Sequence, residues 1–343
     1  TMSLKMLIFD YKSAEKKFFK RHQFHDFDIE FFESSLNETS VGNLPQEIKD
    51  TASVISVFIT SEITPKILEQ FPNLMIISTR STGYDHIDID ACCNKNIKVL
   101  NVENYGSNSV VQYTFALILA LVRRLIPALS DSHAFKFDTN NYVGRELNAL
   151  TLGVIGTGAI GASVCKIAHA FGMKILAFDY LQRPNLVKEF HIEYTDKESI
   201  YKNSDIITLH VPLTKETHHL ITKKEFAQMK NTAIIINTAR GDLIKSEDLY
   251  NALLNHTIAG AGLDVTECEK VSLGYGDITE KLETSDKECI SKVILTRRLS
   301  QLNNVIITPH VAYNTQDSIN RILSETFNSI KDCLQGGHAN QVN

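Results

Sequence analysis

The stretch from Leu152 to Gly172, LGVIGTGAIGASVCKIAHAFG, most restricts what this chain can fold into. Gly156, Gly158 and Gly161 stand in it as G-x-G-x-x-G. The apolar run at 150–156, LTLGVIG, reads as a buried strand, and the residues after the glycines read as a helix. The next apolar run, KILAFD at 174–179, ends in Asp179. A strand, a glycine turn, a helix and an acid closing the second strand together make a dinucleotide fingerprint. The first glycine permits the tight turn, the second lets the backbone approach a pyrophosphate, and the third lets helix and strand pack closely. Exposed N–H groups and the helix dipole then favour phosphate charge. Asp179 can accept from both ribose hydroxyls and would repel a 2′-phosphate, so NAD is expected rather than NADP.

The same alternation runs through the rest of the chain. LKMLIFD (4–10), SVISVFI (53–59) and LMIIS (74–78) read as buried parallel strands, with helical stretches such as TPKILEQF between them. From residue 150 a second rhythm places strands at 150–156, 174–179, 204–211, 232–239, 257–265 and 304–308. The 343 residues suit two domains of roughly 150 each. After 304–308 only one long helix, 317–334, remains, too little for a domain, so this tail is expected to pack back on the N-terminal part. The expected architecture is α/β, with two doubly wound parallel-sheet domains. An NAD-binding domain of 105–308 is inserted into a substrate domain split between 1–104 and 309–343, with a cleft between them. SNSVVQYTFALILALVRRL (107–125) reads as one long helix, with Ser109 and Gln112 spaced as a capping box. It is apolar on every side, so it is expected to be buried or covered by a second copy in a homodimer. Residues 270–302 are polar and poorly periodic and read as a surface excursion with a short helix near its end.

Charge and composition exclude several classes. The chain carries 35 basic and 40 acidic residues, and no basic block, so no nucleic-acid partner is expected. The apolar run FALILALV (115–122) ends at Arg123 and Arg124 and is too short to span a membrane. No charged and then apolar leader opens the chain, so no export signal is expected. The six cysteines, at 92, 93, 165, 268, 289 and 333, form no C-x-x-C pair. They read as reduced thiols of a cytoplasmic protein, with no metal site.

In a parallel sheet the ligand sits beyond the carboxyl ends of the strands. Val211 and Pro212, then Thr238, Ala239 and Arg240, then Asp264, and last His310 follow successive strand ends. One rim thus gathers a cation, carboxylates and an imidazole, which suits hydride transfer at a hydroxy acid. A histidine can give a proton to the carbonyl oxygen as hydride arrives, because its pKa lies near neutrality. A carboxylate beside it would hold the ring and favour its charged form; Glu269 is the candidate and Glu267 the competitor. An arginine can fork onto the substrate carboxylate and polarise the carbonyl, so no metal is needed.

These residues closely resemble the D-2-hydroxyacid dehydrogenase family. The likeness lies in STRSTGYDHIDI (78–89), GVIGTGAIG (153–161), HVPLTKETHHLI (210–221), NTARGDLI (237–244), AGAGLDVTECE (259–269) and VIITPHVAYNT (305–315). The resemblance implies two doubly wound domains, usually dimeric. It implies that Arg240 binds substrate, that Glu269 pairs with the histidine and that His310 is the acid/base. It puts Ala159, Ile160, Val211, Pro212, Thr217 and Thr238 with Ala239 against NAD, and Asp264 near the nicotinamide. It makes Ser81, Thr82 and Gly83 the loop that receives the substrate carboxylate. Tyr105 and Tyr313 match pocket tyrosines of the family's D-lactate dehydrogenase branch, the nearest likeness. Two departures stand out: Lys270 follows Glu269, and the 270–302 excursion is longer than usual.

The function expected is therefore NAD-dependent reduction of pyruvate to D-lactate. The runner-up is reduction of glyoxylate, hydroxypyruvate or a branched 2-keto acid. The rival from another class is a non-catalytic NAD(H)-sensing protein.

Overall fold

The computed structural model describes residues 3–103, 107–272, 283 and 285–343. The chain divides into two compact units. One takes in the described residues up to 103 and again from Asn314; the other holds those from Ser107 to Tyr313.

The first unit is built on five parallel strands: β1 (Leu4–Ile8), β2 (Phe27–Phe31), β3 (Ala52–Val57), β4 (Ile76–Thr79) and β5 (Lys98–Leu100). Their order is β2-β1-β3-β4-β5, the flavodoxin-like arrangement. Successive side chains of a strand point to opposite faces, so β1, β3, β4 and β5 each feed two cores. Leu7, Ile55, Val57, Ile77 and Val99 join one, with Leu36, Ile67 and Leu68 from the covering segments. Met6, Ile8, Val54, Ile76 and Leu100 join the other. The second core is closed by the helix Gln316–Leu334, which supplies Ile319, Leu323, Phe327 and Ile330. Those four recur at helical spacing and form one apolar stripe. Thr315 caps this helix by accepting the Ser318 N–H. The helix near the C-terminus and the N-terminal strands share this core.

The second unit carries β6 (Thr151–Ile155), β7 (Lys174–Phe178), β8 (Glu193–Tyr194), β9 (Ile206–Leu209), β10 (Ile234–Asn237), β11 (Gly260–Leu263) and β12 (Val305–Ile307). All pair in parallel, in the order β12-β11-β10-β9-β6-β7-β8. Strand order runs outward in opposite directions from the neighbouring pair β6 and β9, which makes a topological switch point there. One face packs Ile155, Leu209, Ile235 and Leu263 with Phe226 and Leu249. The other packs Leu152, Val154, Ile175 and Ile236 with Phe115, Ile118 and Val164.

Three expectations are corrected. The single helix over 107–125 is two, Ser107–Val122 and Leu125–His133, bent by 66°. The break falls at the Arg123–Arg124 pair, where Arg124 takes a left-handed φ of 52° and its Nε donates to the Asn141 carbonyl. The excursion beyond 270 holds a 14-residue helix, Lys287–Ser300, rather than a short one. Asp286 caps it through the Cys289 N–H. The cysteines are not all reduced: Cys268 and Cys289 form a disulfide, which their wide spacing in sequence hid. No single described helix is long and apolar enough to cross a membrane.

Candidate active site

The glycine turn sits at the carboxyl end of β6, beside the switch point. Gly156 has φ +95°, open only to glycine without strain, and a Cβ there would meet the His210 carbonyl oxygen at 2.5 Å. A Cβ on Gly161 would lie 1.9 Å from the Gly156 oxygen, so helix and turn are in backbone contact. Above Gly158, which precedes the helix Ala159–Ala170, a Cβ would meet nothing within 4 Å. No side chain caps this helix start, so its N–H groups remain for an anion. Ala159 and Ile160 open its first turn.

Asp179 follows β7 and turns one oxygen to the turn itself. Its Oδ2 accepts from the Thr157 N–H at 2.6 Å, and its Oδ1 accepts the Leu181 N–H at 3.0 Å. Burial raises its pKa, but the bonds from Thr157 and Leu181 outweigh that and hold it below the usual carboxylate range. The cradle and the acid fit a dinucleotide without a 2′-phosphate. Val211 and Pro212 follow β9, where the Thr217 hydroxyl donates to the Pro212 carbonyl. Thr238 and Ala239 follow β10; the Thr238 hydroxyl lies 3.0 Å from that of Thr114.

Three neighbouring strands, β10, β11 and β12, end in the groups that bear chemistry. Arg240 follows β10 and donates to the Ala239 carbonyl, while its own carbonyl is held by Asn237 Nδ2 at 2.8 Å. The next residue, Gly241, lies against the chain after β11. A Cβ on it would meet the Thr266 carbonyl carbon at 2.1 Å and the Glu267 nitrogen at 2.6 Å. The Arg240 turn therefore rests directly on the segment that leads to Glu269.

His310 follows β12, and its Nδ1 lies 2.7 Å from Glu269 Oε1. Of the two competing acids Glu269 is the one bonded to the imidazole. Glu267 is 1% exposed and engaged elsewhere. It takes His219 Nε2 at 2.8 Å, the Ser246 N–H at 2.7 Å and Lys292 Nζ at 3.1 Å. Burial raises the pKa of Glu267, yet these donors overcome it and hold the group low.

Asp264 organises the histidine loop. Its Oδ1 accepts from the Thr308 hydroxyl at 2.6 Å and the Val311 N–H at 2.9 Å; its Oδ2 accepts from Ala312 N–H at 2.8 Å. Burial pushes its pKa up, and those donors pull it back only in part. Tyr313 is buried, and its ring stands nearly perpendicular to that of His310, with centroids 6.4 Å apart. Tyr105 lies outside the described residues.

The loop Ser81–Thr82–Gly83 belongs to the first unit, at the end of β4. Ser81 Oγ donates to the Gly83 carbonyl at 2.7 Å, and Thr82 Oγ1 to the Val102 carbonyl at 2.9 Å. Arg80, just before it, is 2% exposed and anchors the loop's root. It donates to Glu15 Oε1, Ser56 Oγ and the Phe9 carbonyl. Sequence reasoning gave Arg80 no role; a lone arginine closing a run of small and apolar strand residues is the signal for it.

Residues 115–312 match the model of the family described as D-isomer specific 2-hydroxyacid dehydrogenase, NAD binding domain. The chain belongs to the D-isomer specific 2-hydroxyacid dehydrogenase family. It is therefore an NAD-dependent oxidoreductase, as the cradle and Asp179 imply. The chain is 30% identical to D-lactate dehydrogenase of Escherichia coli, over 97% of its own length and 98% of that protein. It is 36% identical to hydroxypyruvate reductase of Thermotoga maritima, over 81% of this chain and 83% of that one. Among solved structures it resembles D-lactate dehydrogenase from Aquifex aeolicus complexed with NAD and lactic acid. That match has a TM-score of 0.85, at 37% identity over 96% of each chain.

Proposed function

We propose that the protein reduces pyruvate to D-lactate, with the 107–313 unit holding NAD and the other unit serving the substrate. The observation that carries this reading is the 2.7 Å bond between His310 Nδ1 and Glu269 Oε1, at the end of β12. With Nδ1 committed to the carboxylate, Nε2 is the nitrogen that meets the substrate oxygen. Bound NADH supplies the hydride to C2 of the keto acid. His310 gives its Nε2 proton to the carbonyl oxygen, and Glu269 keeps the ring from turning. Arg240 binds the substrate carboxylate and polarises the carbonyl, and the loop Ser81–Thr82–Gly83 offers that carboxylate its backbone. Gly156, Gly158, Ala159, Ile160 and Gly161 cradle the pyrophosphate, Asp179 takes the ribose, and Val211, Pro212, Thr217, Thr238 and Ala239 line the cofactor's path. Asp264 serves the nicotinamide end through the loop it organises. Tyr105 and Tyr313 line the substrate pocket.

Pyruvate is favoured by the lactic acid bound in the Aquifex aeolicus relative. The similarity to a hydroxypyruvate reductase supports the second reading, a keto acid with a polar or larger side chain. A panel of 2-keto acids graded in side-chain size, compared by kcat/KM with NADH, tests both. Pyruvate should rank first; a higher value for hydroxypyruvate, glyoxylate or a branched acid replaces it. No NADH oxidation with any of them would favour a non-catalytic NAD(H) sensor.

We further propose that two copies associate. Leu125, Ile126 and Leu129 are exposed on the helix Leu125–His133, and Phe135, Phe137 and Val143 follow it in the open. So many exposed apolar side chains close together in the chain mark a contact. Sedimentation should give twice the 38.5 kDa chain mass. The cytoplasm, where NADH is regenerated, is the compartment that suits this reaction.

A further inference from the structure

The residue just before Glu269 is Cys268, and its disulfide partner Cys289 lies 21 positions further on, with the two Cα atoms 5.5 Å apart. Cys289 sits in the first turn of the helix Lys287–Ser300. That helix is fixed by other means. Leu299 is buried in the core of its unit, and Lys292 bridges to the buried Glu267. The helix is a post, and the disulfide ties the Glu269 segment to it.

Three observations make this tie more than a staple. Cys268 has φ +56°, in the left-handed region that side chains disfavour, so its backbone is held there rather than at rest. Glu269 begins the next turn of chain. Its carboxylate takes the Thr266 N–H at 3.3 Å, and Cys268 is the residue that joins Glu269 to that segment, so a change in the Cys268 backbone turns Glu269 with it. The fold does not need a cross-link. The unit has a large apolar core on each face of its sheet, whereas chains that rely on disulfides are small and cysteine-dense. The other four cysteines, Cys92, Cys93, Cys165 and Cys333, are free. Both bridged residues are half-buried, within reach of a small thiol.

We propose that Cys268–Cys289 is a reversible redox site that sets the position of Glu269 and so the rate of proton transfer at His310. It rests on the role given above to Glu269. A thiolate of a dithiol reductant attacks one sulfur, breaks the S–S bond and forms a mixed disulfide. Its second thiolate then displaces the protein sulfur and closes the reductant's own disulfide. Two electrons and two protons end on Cys268 and Cys289 as thiols. A small-molecule disulfide reverses the exchange. Once the bond is open, Cys268 relaxes from its left-handed conformation and the Glu269 carboxylate moves off Nδ1. The cradle at Gly156–Gly161 is untouched.

The test uses the full chain, oxidised with glutathione disulfide or reduced with dithiothreitol, with peptide mapping to verify the state of Cys268 and Cys289. Turnover is measured with NADH and the 2-keto acid that ranks first in the panel. Reduction should lower kcat about three- to ten-fold, leave the NADH dissociation constant unchanged, and be reversed on re-oxidation. Cys289→Ser should show the low kcat in both conditions, and Cys333→Ser should respond as the unaltered chain does. Equal kcat in the two states overturns the proposal even if the melting temperature falls, because the bond is then only a staple. Failure of glutathione disulfide to form the Cys268–Cys289 bond overturns it as well. An oxidised protein that turns over no keto acid removes instead the reading of Glu269, and this inference with it.

Discussion

The backbone carbonyl of Asp264 accepts the N–H of His310 at 2.9 Å, so the residue that follows β11 carries the histidine that follows β12. The Asp264 carboxylate completes the hold through Thr308, Val311 and Ala312. Asp264→Asn replaces one acceptor oxygen with an NH2 that faces protein donors. Leaving a buried N–H unsatisfied costs about 1–3 kcal/mol. The variant should melt lower and lose kcat by more than it loses NADH affinity. Unchanged kcat would show that the loop does not depend on this carboxylate.

His310→Ala should lower kcat by roughly 10²–10⁴-fold, the range for a lost general acid. NADH affinity should stay close to that of the unaltered chain, since the cradle follows β6 and the histidine follows β12. Fluorescence titration of NADH beside steady-state turnover checks both halves. Near-normal turnover would remove His310 from the chemistry.

Long apolar runs such as SVISVFI were legible because strands buried on both faces need no alternation. The strand FDIEF was not, because it lies at a sheet edge and intersperses acids with apolar residues. The two-residue β8 is too short for any period to show. The fingerprint was legible because backbone geometry dictates its glycines locally, as at Gly156. Partners brought together by the fold were not. Nothing in sequence ties Glu267 to His219 and Lys292, or Cys268 to Cys289, because those pairings depend on where the helix Lys287–Ser300 docks. The break at Arg123–Arg124 was marked by its charges, but apolar periodicity on both sides ran across it.

Gly241→Ala should harm both stability and turnover. The new methyl has backbone, not a yielding side chain, within 2.6 Å, so the Arg240 turn and the Thr266–Glu267 peptide must part. Overpacking of this kind costs about 1–3 kcal/mol. Because Arg240 and Glu269 flank the contact, KM for the keto acid should rise and kcat should fall together. A variant with normal kinetics would show that the two segments need not touch.

Asp179→Asn should weaken discrimination against NADPH by about ten-fold or more, because the repelling charge is gone while an oxygen for Thr157 remains. The bonds from Thr157 and Leu181 outweigh burial and keep the acid's pKa below its usual range, so the charge persists as the solution turns mildly acidic. The preference for NADH over NADPH should therefore be the same at pH 8 and at pH 5.5 in the unaltered chain. A preference that fades by pH 5.5 would place the discriminating charge elsewhere.

His210, at the end of β9, makes the acid side of stability predictable. Burial pushes its pKa down to about 3, and its Nε2 is bonded to Thr208 Oγ1 at 2.9 Å. In the unfolded chain an unperturbed histidine titrates near 6.5. Below that value the unfolded state binds a proton that the folded state refuses, so stability is full above about pH 6.5 and falls as pH drops toward the folded value. The loss from this one group between pH 7 and pH 5 is at most about 2 kcal/mol, an upper limit because the residue keeps some solvent contact. His210→Asn, compared with the unaltered chain by denaturant midpoint at both pH values, should be less stable at pH 7. It should then lose less on going to pH 5. Parallel losses in the two proteins would mean that His210 takes up its proton in the folded state, and that the packing of Gly156 and Gly161 against it leaves room for the charge.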